Sequence, residues 1–223
     1  MAKKAKETVV KIQPLDIKRV PIRIVGTAPL ICHAWSDKAK RQMLEKQTGG
    51  RKAKKKEIKD PVADFINSLY WLEGKPKAEA VEYDSEKAFN EAVTNGARFG
   101  FMVGAIKQAA NCAAYRLGWV PNQMALRGAY FLRTTDGEYV EVKGSIPEMR
   151  EDMVRIGKGT ADIRYRGEFR EWHMDFTLEY NASGELSLDD IINCINAGGY
   201  TVGIGEWRPE KDGTFGTFMV DVV

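Results

Sequence analysis

Several residue patterns are scarce or missing in this chain, and each absence narrows what the protein can do. Histidine occurs only twice, as His33 and His173. His173 stands between Trp172 and Met174 in an alternating stretch and faces away from both. His33 adjoins Cys32, and neighbours in sequence point two ways, which makes a poor nucleophile–base pair. Both histidines read better as structural residues than as catalysts. Cysteine is limited to Cys32, Cys112 and Cys194, widely spaced and each in an apolar setting. An odd count without a CxxC pair argues against a disulfide framework and against a zinc site. It fits a reducing compartment, the cytoplasm.

No run of about 18 apolar residues is present, so no membrane-spanning helix is expected. The start, MAKKAKETVV, is basic but lacks an apolar core and does not read as a secretory signal. Carboxylates are plentiful without forming a DxD or ExK metal-nuclease cluster. Glu148, Glu151 and Asp152 in PEMRED fit a loop or a helix start. No Walker sequence occurs. GIGEWRPEKDG fails the dinucleotide pattern, because Trp207 and Arg208 take the space and a strand, not a helix, is expected to follow. No catalytic residue, metal or cofactor is predicted.

What is present is an asymmetry of charge. The formal net charge is only +3, yet residues 1–60 carry 17 Lys or Arg against 6 Asp or Glu, hence +11, and the remainder carries 17 against 25, hence −8. Such segregation points to a polyanion-facing region, the alternative being a solvated tail plus a solvated loop.

Read along the chain, residues 1–10 form a basic arm and residues 11–223 a single domain. IKRVPIRIVG alternates as a first strand and TAPLICHAW continues it as an extended or turn segment. SDKAKRQMLEKQ reads as a helix with Ser36 as N-cap, stopping at Gly49 and Gly50. DPVADFINSLYWL opens with Asp60 as N-cap and Pro61 at N1, and Val62, Phe65, Ile66, Leu69 and Tyr70 follow helical spacing. RFGFMVG is a short strand, and AIKQAANCAAYRLG a helix closed by Gly118. AYFLR and EYVEVK flank Thr-Thr-Asp-Gly as a hairpin. EWHMDFTLEY is an alternating strand. SLDDIINCINAGG is a helix capped by Ser187 and ended by a glycine pair, and TVGIGEW and TFGTFMVDVV are strands. The fold class expected is α+β: a modified ferredoxin-like or RRM-like antiparallel sheet, with helical and loop insertions at about 36–97, including a basic loop at 49–59, and 118–160.

Four features favour nucleic acid. In the glycine-rich segment, Gly203 and Gly205 permit close backbone approach, Trp207 offers a base-stacking face, and Arg208 and Lys211 offer phosphate contacts. A hairpin with Trp207 packed in the core is the competing reading. Lys107 lies near the start of a helix, where amides and dipole favour an anion, or is simply a solvent-facing lysine. Arg51, Lys52, Lys54, Lys55 and Lys56 form a basic flap with salt-sensitive affinity, or a solvated loop. In DIRYRGEFREW, Arg164, Arg166 and Arg170 share one parity, giving one basic face unless Gly167 breaks the register.

The stretches PIRIVGTAPLICHAWSDKAK, SLYWL, MREDMVRIG, ADIRYRGEF and VGIGEWRPEKDGTFGTF resemble a protein family of tailed phages and prophages. The likeness covers most of the chain and implies a bacterial host cytoplasm, but no particular activity. At fold level, the loop bearing Gly203, Gly205, Gly213 and Gly216 is similar to that of the RAMP superfamily. The GAIKQA stretch resembles the lysine-bearing helix start of CRISPR effector backbone subunits. Those are modified RRM folds that polymerise along RNA. Here Val103-Gly104 replaces the serine of that helix start, and Trp-Arg-Pro is unusual in the loop.

Together these readings predict a non-catalytic protein that binds single-stranded nucleic acid, with DNA favoured over RNA on the phage resemblance, and that coats the strand as a homo-oligomer or filament. The rivals are a protein–protein interaction factor in phage assembly or counter-defence, and a RAMP-like nuclease.

Overall fold

The computed structural model describes residues 14–35, 37–49, 60–76, 84–156 and 159–221. The expected flap of Arg51, Lys52, Lys54, Lys55 and Lys56 lies outside these residues, as do the basic arm and Ser36.

Strand β1 (Ile17–Gly26) follows its alternation, with Ile22 and Ile24 buried and Arg19 and Arg23 on the other side. β2 (Leu30–Cys32) is buried throughout. Helix α1 (Asp37–Gln47) follows. Asp60 caps α2 (Pro61–Ser68), its Oδ1 accepting from the N–H groups of Val62 and Ala63 at 3.0 and 3.1 Å. The helix stops before Tyr70, which lies in β3 (Tyr70–Glu73). α3 (Ser85–Thr94) is capped by Asp84. β4 (Arg98–Met102) runs directly into α4 (Val103–Arg116). The latter is closed by Gly118 at φ +74, a left-handed C-terminal position that glycine occupies without a steric cost.

The second half contributes α5 (Met124–Arg127), β5 (Tyr130–Arg133), β6 (Tyr139–Glu141), β7 (Lys143–Gly144), β8 (Glu148–Ile156), β9 (Thr160–Phe169), β10 (Trp172–Asn181), α6 (Leu188–Thr201) and β11 (Phe218–Asp221). A reciprocal capping box opens α6: Asp190 N–H donates to Ser187 Oγ, and Ser187 N–H to Asp190 Oδ2.

The protein is mixed α/β with antiparallel sheets. The main sheet has the order β11-β1-β10-β5, with β7 paired to the start of β10. α4 and α6 cover one face. Ile22, Ile24, Met174, Phe176, Leu178, Tyr130 and Phe218 meet Ile106, Ala110, Ile191 and Ile195 in the core. Each large apolar side chain buried there contributes about 1.5–3 kcal/mol. The two helices cross with almost no side-chain layer between them, since a Cβ on Gly198 would come within 2.6 Å of Ala110 N. Two further sheets, β2-β9-β8 and β3-β4-β6, are built from the chain between β1 and β10.

Four expectations are corrected. Residues 130–143 do not form a hairpin: β5 pairs with β10 and β6 with β4, because Tyr130 belongs under α4 whereas Val140 joins the other sheet. TVGIGEW is not a strand. α6 continues through Gly198–Gly199 to Thr201, and residues 202–217 are loop and turns around a short 3-10 segment, Pro209–Lys211. Alternation of Tyr200, Val202 and Ile204 imitates a strand there, but the glycine pair supplies the close helix crossing rather than a stop. PEMRED is neither loop nor helix start but the first part of β8. Gly167 does not interrupt β9, whose pairing with β8 is continuous from Thr160 to Glu168.

Candidate nucleic-acid interface

The glycine-rich segment between α6 and β11 is a loop stapled to its neighbours by backbone hydrogen bonds. Glu206 N donates to Ile31 O (3.0 Å), Gly216 N to Pro29 O (2.8 Å), and Ile204 N to Gly216 O (2.9 Å). Gly203 and Gly205 both have positive φ, +66 and +80. The space beside Gly205 is taken by the chain itself, since a Cβ there would lie 2.5 Å from Ile31 O. Trp207 is not packed in the core. It is 39% exposed in the left-handed region, and its indole N–H reaches Asp152 Oδ2 at 3.3 Å. Arg208 is half-buried and donates from Nη1 to Gly205 O at 2.7 Å. Lys211 is exposed on a short 3-10 turn.

The arginines of the β8–β9 hairpin do not form a basic face. Arg166 is 3% exposed and its Nη1 donates to Asp152 Oδ2 at 2.8 Å, with Glu206 at 3.6 Å on the other side. Arg150 joins the same carboxylate through Nε at 2.9 Å and reaches Glu168 at 2.8 Å. Arg170 pairs with Glu148, and Arg164 with Asp162 at 3.7 Å. Inward charges at Arg150, Asp152 and Arg166 therefore serve one another, which is the condition for burying charge at all. Burial would raise the Asp152 pKa, but the hydrogen bonds and charges of Arg166 and Arg150 outweigh it and hold the carboxyl below its ordinary value.

Lys107 is also committed elsewhere. Its Nζ donates to the carbonyls of Arg127 (2.8 Å) and Tyr130 (2.6 Å) and lies 4.7 Å from the Phe131 ring centre. It ties the end of α5 to β5 rather than presenting its charge at the helix start, and burial together with Arg133 lowers its pKa.

The sheet face away from the helices is a lattice of paired charges. Arg23 and Lys143 hold Asp175, at 2.7 and 3.1 Å, and Arg19 and Arg133 hold Glu179, at 2.8 and 2.7 Å. The outward positions of the two central strands carry Arg19, Pro21, Arg23 and Val25 beside Glu179, Thr177, Asp175 and His173. These positions of the two central strands carry no aromatic; beside them on β5, Phe131 is the register partner of Glu179, is 43% exposed and has Arg133 at 4.8 Å from its ring centre.

Aromatic residues gather instead around the segment His33-Ala34-Trp35 that follows β2. Trp35 is 63% exposed. It stands between two grooves that share His33, Ala34 and Asn67. One, of about 560 Å³, is lined by Trp35, Tyr70, Trp71 and Tyr139 together with Lys40 and Lys75. The other, of about 420 Å³, is lined by Trp35 with Tyr165 and Arg164, and also by Asp64 and Asp162. The aromatic wall is firmly set. Trp71 Nε1 donates to Ile66 O at 2.8 Å, and its ring lies 4.8 Å from Phe99. Tyr70 packs edge-on to Phe101 at 5.5 Å. Burial, with the carboxylate of Glu206 adding to it, pushes the Tyr70 hydroxyl up to about 12, so it stays protonated and can donate a hydrogen bond. A fixed aromatic wall beside exposed cations can take base faces and phosphates together.

The structure thus brings Trp207, Arg166 and the glycine loop into one cluster. It puts Arg164 near the Trp35 groove and leaves Lys107 apart. Trp35, Tyr70, Trp71 and Tyr139 escaped the sequence reading as a site because they come from separate elements; the nearest hint was SLYWL, whose Leu69 and Tyr70 read there as part of a helix face. Among the described residues no three His, Cys, Asp or Glu side chains are grouped to hold a metal ion, and no helix is long and apolar enough to cross a membrane. No protein-family model matches the chain, and no curated protein matches it.

Proposed function

We propose that this chain binds single-stranded nucleic acid without cutting it, and that the strand lies in the grooves on either side of Trp35. The observation that carries the reading is the exposed Trp35 standing over a fixed aromatic wall, with Lys40 and Lys75 on the same groove. Stacking on such side chains stabilises a bound strand by about 1–3 kcal/mol per base and tolerates any sequence. The duplex offers no free base face, so it is the poorer ligand.

The main sheet supports a ferredoxin-like, RRM-like assignment. Its elements run β1, α4, β5, β10, α6, β11, a βαββαβ series, and both helices lie on one face. RRM domains stack bases on aromatics of the open sheet. Here that face is filled by Arg–carboxylate pairs, with Phe131 of the edge strand covered by Arg133 and Lys107, so the contact is placed on the chain inserted between β1 and β10.

Fluorescence anisotropy with labelled single-stranded DNA, single-stranded RNA and duplex at two salt concentrations tests this. Trp35→Ala is expected to weaken single-strand binding about 5- to 150-fold. Lys40→Gln with Lys75→Gln is expected to lessen the salt dependence by roughly two phosphate contacts. DNA is expected to bind more tightly than RNA. Equal affinity for duplex, or binding indifferent to Trp35→Ala, overturns the reading.

A further inference from the structure

A third cleft, of about 250 Å³, opens between the glycine loop and the first turns of α4, and the Trp35 groove shares His33 and Tyr70 with it. Resting on the strand-binding reading above, we infer that this cleft receives one unstacked base of the bound strand and selects guanine through Glu206.

The size and the walls fit one base. Pockets for drug-sized ligands span about 300–1,000 Å³, and this one is smaller. Tyr70 and Phe101 supply aromatic rings to its lining, Ala105 and Ala109 of α4 supply small side chains, and Gln108 and Glu210 supply further polar groups. Gly203 and Gly205 contribute backbone to its lining. Taking a base out of its stack into such a pocket costs least when the strand is already single.

The polar edge fits guanine. Glu206 has a side chain 42% exposed, and among the described residues its two oxygens are met at long range, Oε1 by His33 Nδ1 at 3.5 Å and Oε2 by Arg166 Nη2 at 3.6 Å. A carboxylate has about four acceptor positions, so acceptor capacity remains. The neighbouring His33 foremost, then the charges of Arg166 and Arg208, outweigh burial and hold the Glu206 carboxyl below its ordinary range. Two parallel acceptors call for two adjacent N–H donors. Guanine offers these on its pairing edge, N1–H beside the N2 amino group. Adenine and cytosine present one amino group beside an acceptor, and thymine and uracil a single N–H. Arg208 at the rim spends one bond on Gly205 O and directs the remaining guanidinium N–H groups toward a phosphate.

The test uses the full chain and two ligand sets. Guanosine, adenosine, cytidine and uridine monophosphates are titrated by NMR, and labelled dT oligomers with and without one central dG by anisotropy. GMP is expected to bind about tenfold or more tightly than the other nucleotides, and the single dG to tighten the oligomer by a similar factor. Glu206→Gln is expected to abolish the preference while leaving dT binding unchanged. Ala105→Leu, which narrows the cleft without touching Glu206, is expected to weaken GMP while thermal melting reports an intact fold. GMP preference without any oligomer binding supports the cleft and refutes the strand reading. Oligomer binding indifferent to guanine, or a preference that survives Glu206→Gln, overturns the cleft alone. Failure of every nucleotide and oligomer to bind overturns both.

Discussion

Asp152→Ala is the perturbation whose cost follows most directly from the structure. Asp152 is 7% exposed and accepts from Arg166, Arg150 and Trp207. Its removal leaves Arg166, buried at 3% exposure, with Glu206 at 3.6 Å as its remaining carboxylate. It also leaves two guanidinium groups facing each other, since Arg150 and Arg166 are register partners across the hairpin. Breaking a buried pair by deleting one member costs about 3–5 kcal/mol. Glu206 offsets part of this, so the expected loss is about 3 kcal/mol, or about 6–12 °C in thermal midpoint for a chain of this size. Glu148→Gln is the internal comparison. It breaks the exposed Arg170 pair on the same hairpin and is expected to cost below about 1 kcal/mol. Asp152→Leu combined with Arg166→Met removes both charges and is expected to recover most of the loss. Differential scanning calorimetry reads all three. A melting shift for Asp152→Ala no larger than that of Glu148→Gln would refute the reasoning, as would a double variant no better than the single.

Other outcomes can be checked alongside. Lys107→Met strands the carbonyls of Arg127 and Tyr130 and is expected to destabilise by about 2–3 kcal/mol, while leaving the salt dependence of strand binding unchanged in anisotropy titrations. Gly198→Ala pushes a methyl against the α4 backbone; overpacking costs about 1–3 kcal/mol, less the ~1 kcal/mol that alanine gains in a helix, and chemical denaturation measures the difference. Acid melts test the carboxylates. Arg23 foremost, with Lys143, holds Asp175 down to about 2, and Asp152 is also lowered. A lowered folded-state pKa means stability that is present above about pH 4 and lost as pH falls toward 2. Asp175→Asn is expected to flatten that part of the profile.

Local chemistry was legible and non-local chemistry was not. The caps at Asp60 and Ser187 stand out because a helix start is set by three or four adjacent residues. β1 and β10 stand out because one face is buried and the other wet. The β8–β9 hairpin escaped because Arg150, Asp152 and Arg166 point inward, so polar residues sit where the strand pattern demands apolar ones. They are tolerated only through one another. The loop after α6 misled because glycines in a helix and glycines in a turn read alike until their neighbours are known. The Trp35 groove depends on Trp35, Tyr70, Trp71 and Tyr139 meeting across different elements, which a single pass along the chain does not register.

The pairing of β1 with β10, Ile17 opposite Asn181, also sets a timetable. On the ribosome β1 emerges well before β10, a delay on the order of ten seconds at ordinary elongation rates. Through that interval Val20, Ile22 and Ile24 have no partner strand. Lys18, Arg19 and Arg23, interleaved with them, act as gatekeepers that discourage pairing between nascent chains. The same arginines then meet Asp175 and Glu179 when β10 arrives, so the charges that guard the strand during synthesis become those that fix its register afterwards.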